Sequence, residues 1–201
     1  MVKLFYSPGA CSMAAHIALR EAGLPFQLER VDLKTKKMAD GGDFRSLNPN
    51  GYVPVLLLDD GQVLTEGAVI LQYVADVVPD KKLAPPAGTM ERYRLQEWLN
   101  FIATEVHKVI GSLYNPAMPL EWQEQVRSLA GRRLGYVTQK LEGRDYLMDG
   151  FTVADAYLYT ILNWTRLVKV DLSDKPGLLA YMKRVGARPA VQETLAAEGL
   201  K

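Results

Sequence analysis

One cysteine, Cys11, is all that 201 residues contain. A lone thiol cannot close an intramolecular disulfide, which points to a reducing, cytoplasmic setting. It also excludes a Cys-x-x-Cys pair: the completing position holds Ala14, so redox chemistry at Cys11 needs a second thiol from outside the chain. Net charge is equally scarce. Twenty-four Lys and Arg against 23 Asp and Glu leave +1, without the electrostatic footprint of a nucleic-acid partner or an anionic membrane. No apolar run is long enough to span a membrane, and Met1 to Gly9 lacks the apolar stretch of a signal peptide. No internal repeat or low-complexity stretch is present. What is abundant is apolar side chain, 48% of the residues, which supplies a core for one large or two small soluble domains.

The stretch from Lys3 to Gly23 organises the rest. Leu4, Phe5 and Tyr6 read as a buried strand, Ser7-Pro8-Gly9 as a turn, and Ser12 to Ala22 as a helix stopped by Gly23 and followed by Pro25. Cys11 therefore sits where a strand hands over to a helix. The unpaired N–H groups at that end favour an anion, so a thiol there is biased toward thiolate from its free pKa of about 8.5. The alternative is a cysteine that packs as a small hydrophobe. The helix is apolar on more than one side and is expected to be covered on two faces.

Phe26 and Leu28 alternate, then Val31 and Leu33 alternate one residue out of phase, which predicts a strand with a bulge or an early end. Lys34 to Gly42 is polar and reads as a solvated loop. Asn48-Pro49-Asn50-Gly51 marks a turn, and Val53-Pro54 leads into a strand at Val55 to Leu58. Asp59-Asp60-Gly61 closes a hairpin with Gln62 to Leu64, and Thr65-Glu66-Gly67 opens a helix from Ala68 to Val77. This order is that of a thioredoxin-like domain over 1–80. The segment Pro79 to Thr89, rich in proline and glycine, reads as a linker, at 81–89 in the domain division.

Beyond it no strand is evident, and 90–201 reads as an all-helical domain. Leu95, Leu99, Ile102, Val106, Ile110 and Leu113 give a helix from Met90 to Leu113 one apolar face, while Asn100, Thr104, His107 and Gly111 share another. Trp122 to Leu141 is a second long helix. Phe151-Thr152-Val153-Ala154-Asp155 is a capping box that starts a nearly all-apolar helix reaching about Lys169, the expected centre of this domain. Shorter helices follow near Pro176 to Gly186 and Pro189 to Ala197. The fold class is α/β plus all-α.

The ordered set Tyr6-Ser7-Pro8-Gly9-Ala10-Cys11-Ser12, Asp32 to Lys37, Asn48-Pro49-Asn50-Gly51-Tyr52-Val53-Pro54, Leu64-Thr65-Glu66-Gly67, Glu97 to Ile102 and Thr152 to Tyr157 resembles the bacterial beta-class glutathione S-transferases over nearly the whole chain. The resemblance implies a cytoplasmic homodimer that uses glutathione as co-substrate, requires no metal, and joins the glutathione thiolate to a hydrophobic electrophile. It implies that the Val53 backbone pairs with the cysteinyl part of glutathione and that Pro54 is cis. Glu66 would hold the γ-glutamyl ammonium, and the N–H groups of Glu66 and Gly67 its carboxylate. Gly67 stands where many relatives carry Ser, so a hydroxyl contact is missing. Lys36 would face the glycyl carboxylate, and Asn100, Thr104 and His107 would approach from the helical domain, His107 near the sulfur. Without the resemblance, His107 reads as a surface or interface histidine.

Candidate groups for activating the thiol are Cys11, Ser12, His107 and Tyr6, with plain packing the competing role for Tyr6. Lys108 and Glu105 flank His107. Cys11 could also form a mixed disulfide with glutathione, which leaves a thiol-disulfide oxidoreductase or peroxidase open beside the transferase, and a non-catalytic binding protein as a third reading. Leu113, Tyr114 and Trp164 are candidates for lining the electrophile pocket.

Overall fold

The computed structural model describes residues 1–200; residue 201, the expected end of the helical domain, lies outside them. Strand β1 (Val2–Tyr6) runs into helix α1 (Ser12–Ala22), and the chain continues through β2 (Phe26–Asp32), β3 (Lys37–Met38), β4 (Val55–Leu57), β5 (Val63–Leu64) and α2 (Gly67–Asp76). The sheet order is β3-β2-β1-β4-β5. Strands β1 and β2 are parallel, and the other pairs are antiparallel. This is a thioredoxin-like sheet-and-helix unit, followed by a helical one. Gly61, at φ +85, supplies the left-handed residue the β4–β5 hairpin requires.

Register explains the out-of-phase apolar residues of β2. Leu4 lies opposite Leu28 and Leu56 and faces the main core with α1 and α2, whereas Phe5 lies opposite Val55 and faces a second, smaller core with Val31 and Phe44. The five residue pairs of β1 and β2 run without interruption from Val2–Phe26 to Tyr6–Arg30. Of the two expectations for β2, the bulge is absent and the early end holds: the strand stops at Asp32, before Leu33, and Val31 changes phase because the sheet buries its other face there. The expected loop at 34–42 likewise contains β3, which pairs with the end of β2.

The linker is pinned rather than free. Leu83 is buried, and its carbonyl accepts from Val153 N–H at 3.0 Å. Arg92, itself buried, holds the end of α2 to the start of the next helix by a two-pronged bond to Asp76, at 2.7 and 2.6 Å, and donates to the Pro85 carbonyl at 2.9 Å. That next helix is α3 (Met90–Phe101), which continues through a π-helical stretch (Ile102–His107) into α4 (Lys108–Ser112). Helices α5 (Leu120–Lys140), α6 (Val153–Leu162), α7 (Pro176–Gly186) and α8 (Pro189–Ala197) complete the unit.

Every residue of α6 is buried, so it is the centre that its composition implies. It ends at Leu162, short of the expected Lys169, because the chain turns there: Val170 N–H closes back on Thr165 carbonyl at 2.8 Å, with Lys169 left-handed at φ 59. At its start the Asp155 carboxylate accepts from Thr152 N–H (2.8 Å), Leu147 N–H (2.9 Å) and Tyr181 Oη (2.9 Å). Helix α1 packs on α2, α6 and α8, which accounts for its apolar faces. Among the described residues no helix is long and apolar enough to cross a membrane.

Candidate active site

Segments distant in sequence converge on the amino end of α1. Cys11 occupies the cap position, and its thiol donates to the Val53 carbonyl at 3.1 Å. The Val53–Pro54 bond is cis. The Pro54 ring lies against Gly67, where an added Cβ would sit 3.8 Å from Pro54 Cγ, an ordinary contact, so space does not exclude a larger residue there. Glu66 caps α2 in a left-handed conformation, φ 66 and ψ 112, that a residue with a side chain rarely adopts. Lys36 belongs to the same neighbourhood through the 48–53 turn: its ammonium donates to Gly51 carbonyl at 2.8 Å and lies 5.8 Å from the centre of the Tyr52 ring. Gly51 is left-handed, φ 65, and its open side accommodates the Lys36 stem.

The helical unit contributes His107, at the end of the π-helical stretch. Its Nδ1 lies 2.7 Å from Tyr157 Oη, and its ring meets the rings of Tyr157 and Trp164 edge to face, at 5.7 and 5.0 Å. Tyr114 meets the Trp164 ring edge to face at 5.6 Å. Trp164 Nε1 donates to the Gly9 carbonyl at 2.8 Å, while Gly9 N–H donates to Glu198 at 2.8 Å. Both polar groups of Gly9 are thus held by the helical unit, and the turn that delivers Cys11 is clamped. The other Glu198 oxygen accepts from His16 Nδ1 at 2.8 Å beneath the turn.

Two candidates for thiol activation are otherwise engaged. The Ser12 hydroxyl is fully buried and closes the turn, donating to Ser7 carbonyl at 3.3 Å and accepting from Ser7 N–H at 3.2 Å. Tyr6 packs edge-on against the His16 ring at 6.0 Å, on the α1 face of the sheet. Asn100 and Thr104 are exposed, and Thr104 donates its hydroxyl to the Asn100 carbonyl at 3.0 Å. Neither bonds to Cys11, Val53, Glu66 or His107 among the described residues. The π-helical stretch begins just after Asn100, so the 3.6-residue spacing that aligned Asn100 with His107 no longer applies. Glu105 is paired with Arg133 of α5 at 2.7 Å.

Electrostatics correct the expectation for Cys11. Burial pushes its thiol up to about 11; the N–H groups of Cys11 and Ser12 and the Lys108 charge pull down, and Glu66 pushes further up. Desolvation thus outweighs the helix terminus, and the free thiol is not biased toward thiolate. Burial first, then Lys108, lowers His107 to about 4, so it is neutral near pH 7. Tyr157 is held well above the ordinary phenol range by burial, then by Cys11 and Glu66. Tyr157, Glu198 and Gly9 escaped the sequence reading. Tyr157 and Tyr159 inside a buried, mostly apolar helix were the available signal, because a buried phenol needs a partner; Glu198 carried none. Among the described residues no group of three or more His, Cys, Asp or Glu could hold a metal ion. An open cleft of about 500 Å³ between α3 and α5, lined by Trp98, Phe101, Tyr136 and Lys140, contains none of Cys11, Val53, Glu66, His107 and Tyr157.

Residues 9–77 match the family model of the glutathione S-transferase N-terminal domain, and residues 101–189 that of the C-terminal domain. The chain is 48% identical over 201 residues to Glutathione S-transferase GstA of Escherichia coli O157:H7, covering 100% of both. Among solved structures it is similar to a ternary complex of BphK, a bacterial GST, with a TM-score of 0.97 and 56% identity over 98% of this chain and 100% of that one. It is also similar to a sphingomonad glutathione S-transferase complexed with glutathione, with a TM-score of 0.95 and 45% identity over 99% and 100% of the two chains.

Proposed function

The chain belongs to the glutathione S-transferase family, as a bacterial beta-class glutathione transferase, and from that premise we propose that it seats glutathione across the amino ends of α1 and α2 and adds its sulfur to a hydrophobic electrophile. Glutathione carries two carboxylates, an ammonium and a thiol. Lys36, Glu66, the Val53 backbone and the helix amino ends supply a counterpart for each of these. Glu66 takes the ammonium, the N–H groups of Glu66 and Gly67 the adjoining carboxylate, and Lys36 the glycyl carboxylate. The Val53 carbonyl has a lone pair to spare beyond the Cys11 thiol and accepts the cysteinyl N–H. Asn100 and Thr104, both exposed on the helical domain, stay in the reading through the family resemblance alone.

The sulfur then lies between Cys11 and His107. Its proton leaves to water, the thiolate forms a carbon–sulfur bond, and the leaving group departs with its electron pair. Each unit by which the glutathione pKa falls asks for about 1.4 kcal/mol, within reach of the helix terminus and one or two donors. The observation that carries the reading is the Cys11–Val53 hydrogen bond, which fastens the Val53–Pro54 edge beside the start of α1.

Calorimetry with glutathione tests it. The folded protein takes up one tripeptide per chain, and Glu66→Gln weakens uptake about ten- to a hundredfold, the worth of one charged hydrogen bond. No uptake, or a variant that binds as tightly, would overturn the assignment; a chlorodinitrobenzene-type assay then follows the conjugation itself.

Further parts of the reading are the division into 1–80, 81–89 and 90–201, a cytoplasmic homodimer, and an electrophile pocket beside Leu113, Tyr114 and Trp164, for which the aromatic edge from His107 to Tyr114 speaks. A second activity rests on Cys11 itself: its thiolate attacks oxidised glutathione, giving the Cys11–glutathione mixed disulfide and releasing one glutathione thiolate. With the thiol raised to about 11 that exchange is slow at neutral pH. Mass spectrometry after incubation with oxidised glutathione separates the two activities.

A further inference from the structure

His107 has a partner from α6, a helix whose composition spoke only for core. Its Nδ1 is 2.7 Å from Tyr157 Oη. A neutral imidazole has one N–H and one bare nitrogen, so the chemistry of His107 depends on which atom carries the proton. Tyr157 is 4% exposed, and a buried phenolic hydrogen must find an acceptor. Among the described residues the only one within hydrogen-bond range of Tyr157 Oη is His107 Nδ1. A proton on Nδ1 would point at the phenol oxygen and leave the phenolic hydrogen without an acceptor. Nε2 has no protein partner among the described residues, nor is it one of the buried polar atoms left unpaired, so it reaches solvent.

We infer that Tyr157 is a positioning residue: its phenol donates to Nδ1, holds His107 as the Nε2–H tautomer, and so makes it present an N–H donor rather than a basic nitrogen to the glutathione sulfur. The inference rests on the glutathione reading above. It deepens that reading by excluding His107 as the base: the thiol proton goes to water, and His107 stabilises the sulfur anion it leaves behind. The charged and titratable groups facing the pair are Lys108 on its own helix, Cys11 at the start of α1 and Glu66 at the start of α2. Burial lowers the imidazolium and raises the phenol, so neither changes protonation around pH 7.

His16, the other of the two histidines, provides an internal contrast. Arg20 Nε can only donate, and it lies 3.0 Å from His16 Nε2, so His16 carries its proton on Nδ1, toward Glu198. Imidazole ¹⁵N spectra of the ligand-free protein at about pH 7 are therefore expected to show one histidine of each tautomer. Finding His107 protonated on Nδ1, or charged, would overturn the inference.

Tyr157→Phe is expected to raise the apparent pKa of bound glutathione and to lower kcat at about pH 7 by about two- to tenfold, with KM for glutathione unchanged and the loss shrinking as pH rises. The same loss at every pH, or an equal loss in a His107→Asn background, would mean that Tyr157 acts through packing and would overturn it. Absence of glutathione uptake by the wild-type protein would instead remove the reading beneath, and with it the catalytic role, while leaving the ligand-free tautomer measurement standing.

Discussion

Cys11 should resist alkylation in the folded protein and become reactive only in strong alkali. Burial raises its thiol from 9.0 to about 11 against the pull of two backbone N–H groups and Lys108. Each pKa unit is a factor of ten, about 1.4 kcal/mol, so at about pH 7 the thiolate falls from roughly one molecule in a hundred to roughly one in ten thousand. Because Cys11 is the sole cysteine, the mass shift on iodoacetamide treatment reports it without ambiguity. The folded chain at about pH 7 should react about a hundredfold more slowly than the same chain in denaturant, and its rate should climb about tenfold per pH unit to about pH 10. The sign for stability follows. The folded state holds the thiol proton more tightly than the unfolded one, so this group lowers stability as pH rises from 9.0 to about 11, by at most about 2.7 kcal/mol, and Cys11→Ala removes that share of the alkaline decline. A rate that levels off below about pH 8, at or above that of the denatured chain, would refute the reasoning, because the helix terminus would then outweigh desolvation.

His107 works in the opposite pH range. Its folded value of about 4 lies below the ordinary 6.5, so its contribution is complete above 6.5 and is lost as pH falls toward 4; denaturant midpoints should register up to about 3 kcal/mol, and His107→Asn should flatten that slope. Equal slopes in the two proteins would show that His107 titrates normally. Asp155→Ala strips Thr152 N–H, Leu147 N–H and Tyr181 Oη of one shared acceptor inside the core. The loss should be about 3 kcal/mol or more, read as a lowered denaturant midpoint; a change below about 1 kcal/mol would mean those donors find other partners.

Local chemistry was legible wherever a few neighbouring residues settle it. The strand, turn and helix around Cys11, the Asp60-Gly61 hairpin and the Thr152–Asp155 helix start stand where their residues place them. Legibility failed where a second surface intervened. Val31 looked like a bulge because alternation reads one face of a sheet at a time, and here both faces are buried. Asn100 and His107 looked aligned because α-helical spacing was assumed across a π-helical stretch. Ser12 looked available to a sulfur because its side-chain chemistry suits it, yet its partner is Ser7, while Tyr6 packs on the His16 ring, the role its place on a buried strand favoured.

The order of residues alone determined the succession of sheet unit and helical unit and the thiol at the start of α1, since propensity, capping and turn chemistry act over a handful of positions; Lys36, Glu66 and Pro54 were singled out only by the family resemblance. Only the tertiary structure decided the protonation of Cys11 and His107 and the pairing of His107 with Tyr157. These depend on how much water packing removes and on partners 42 and 50 residues away along the chain, quantities that no local pattern encodes.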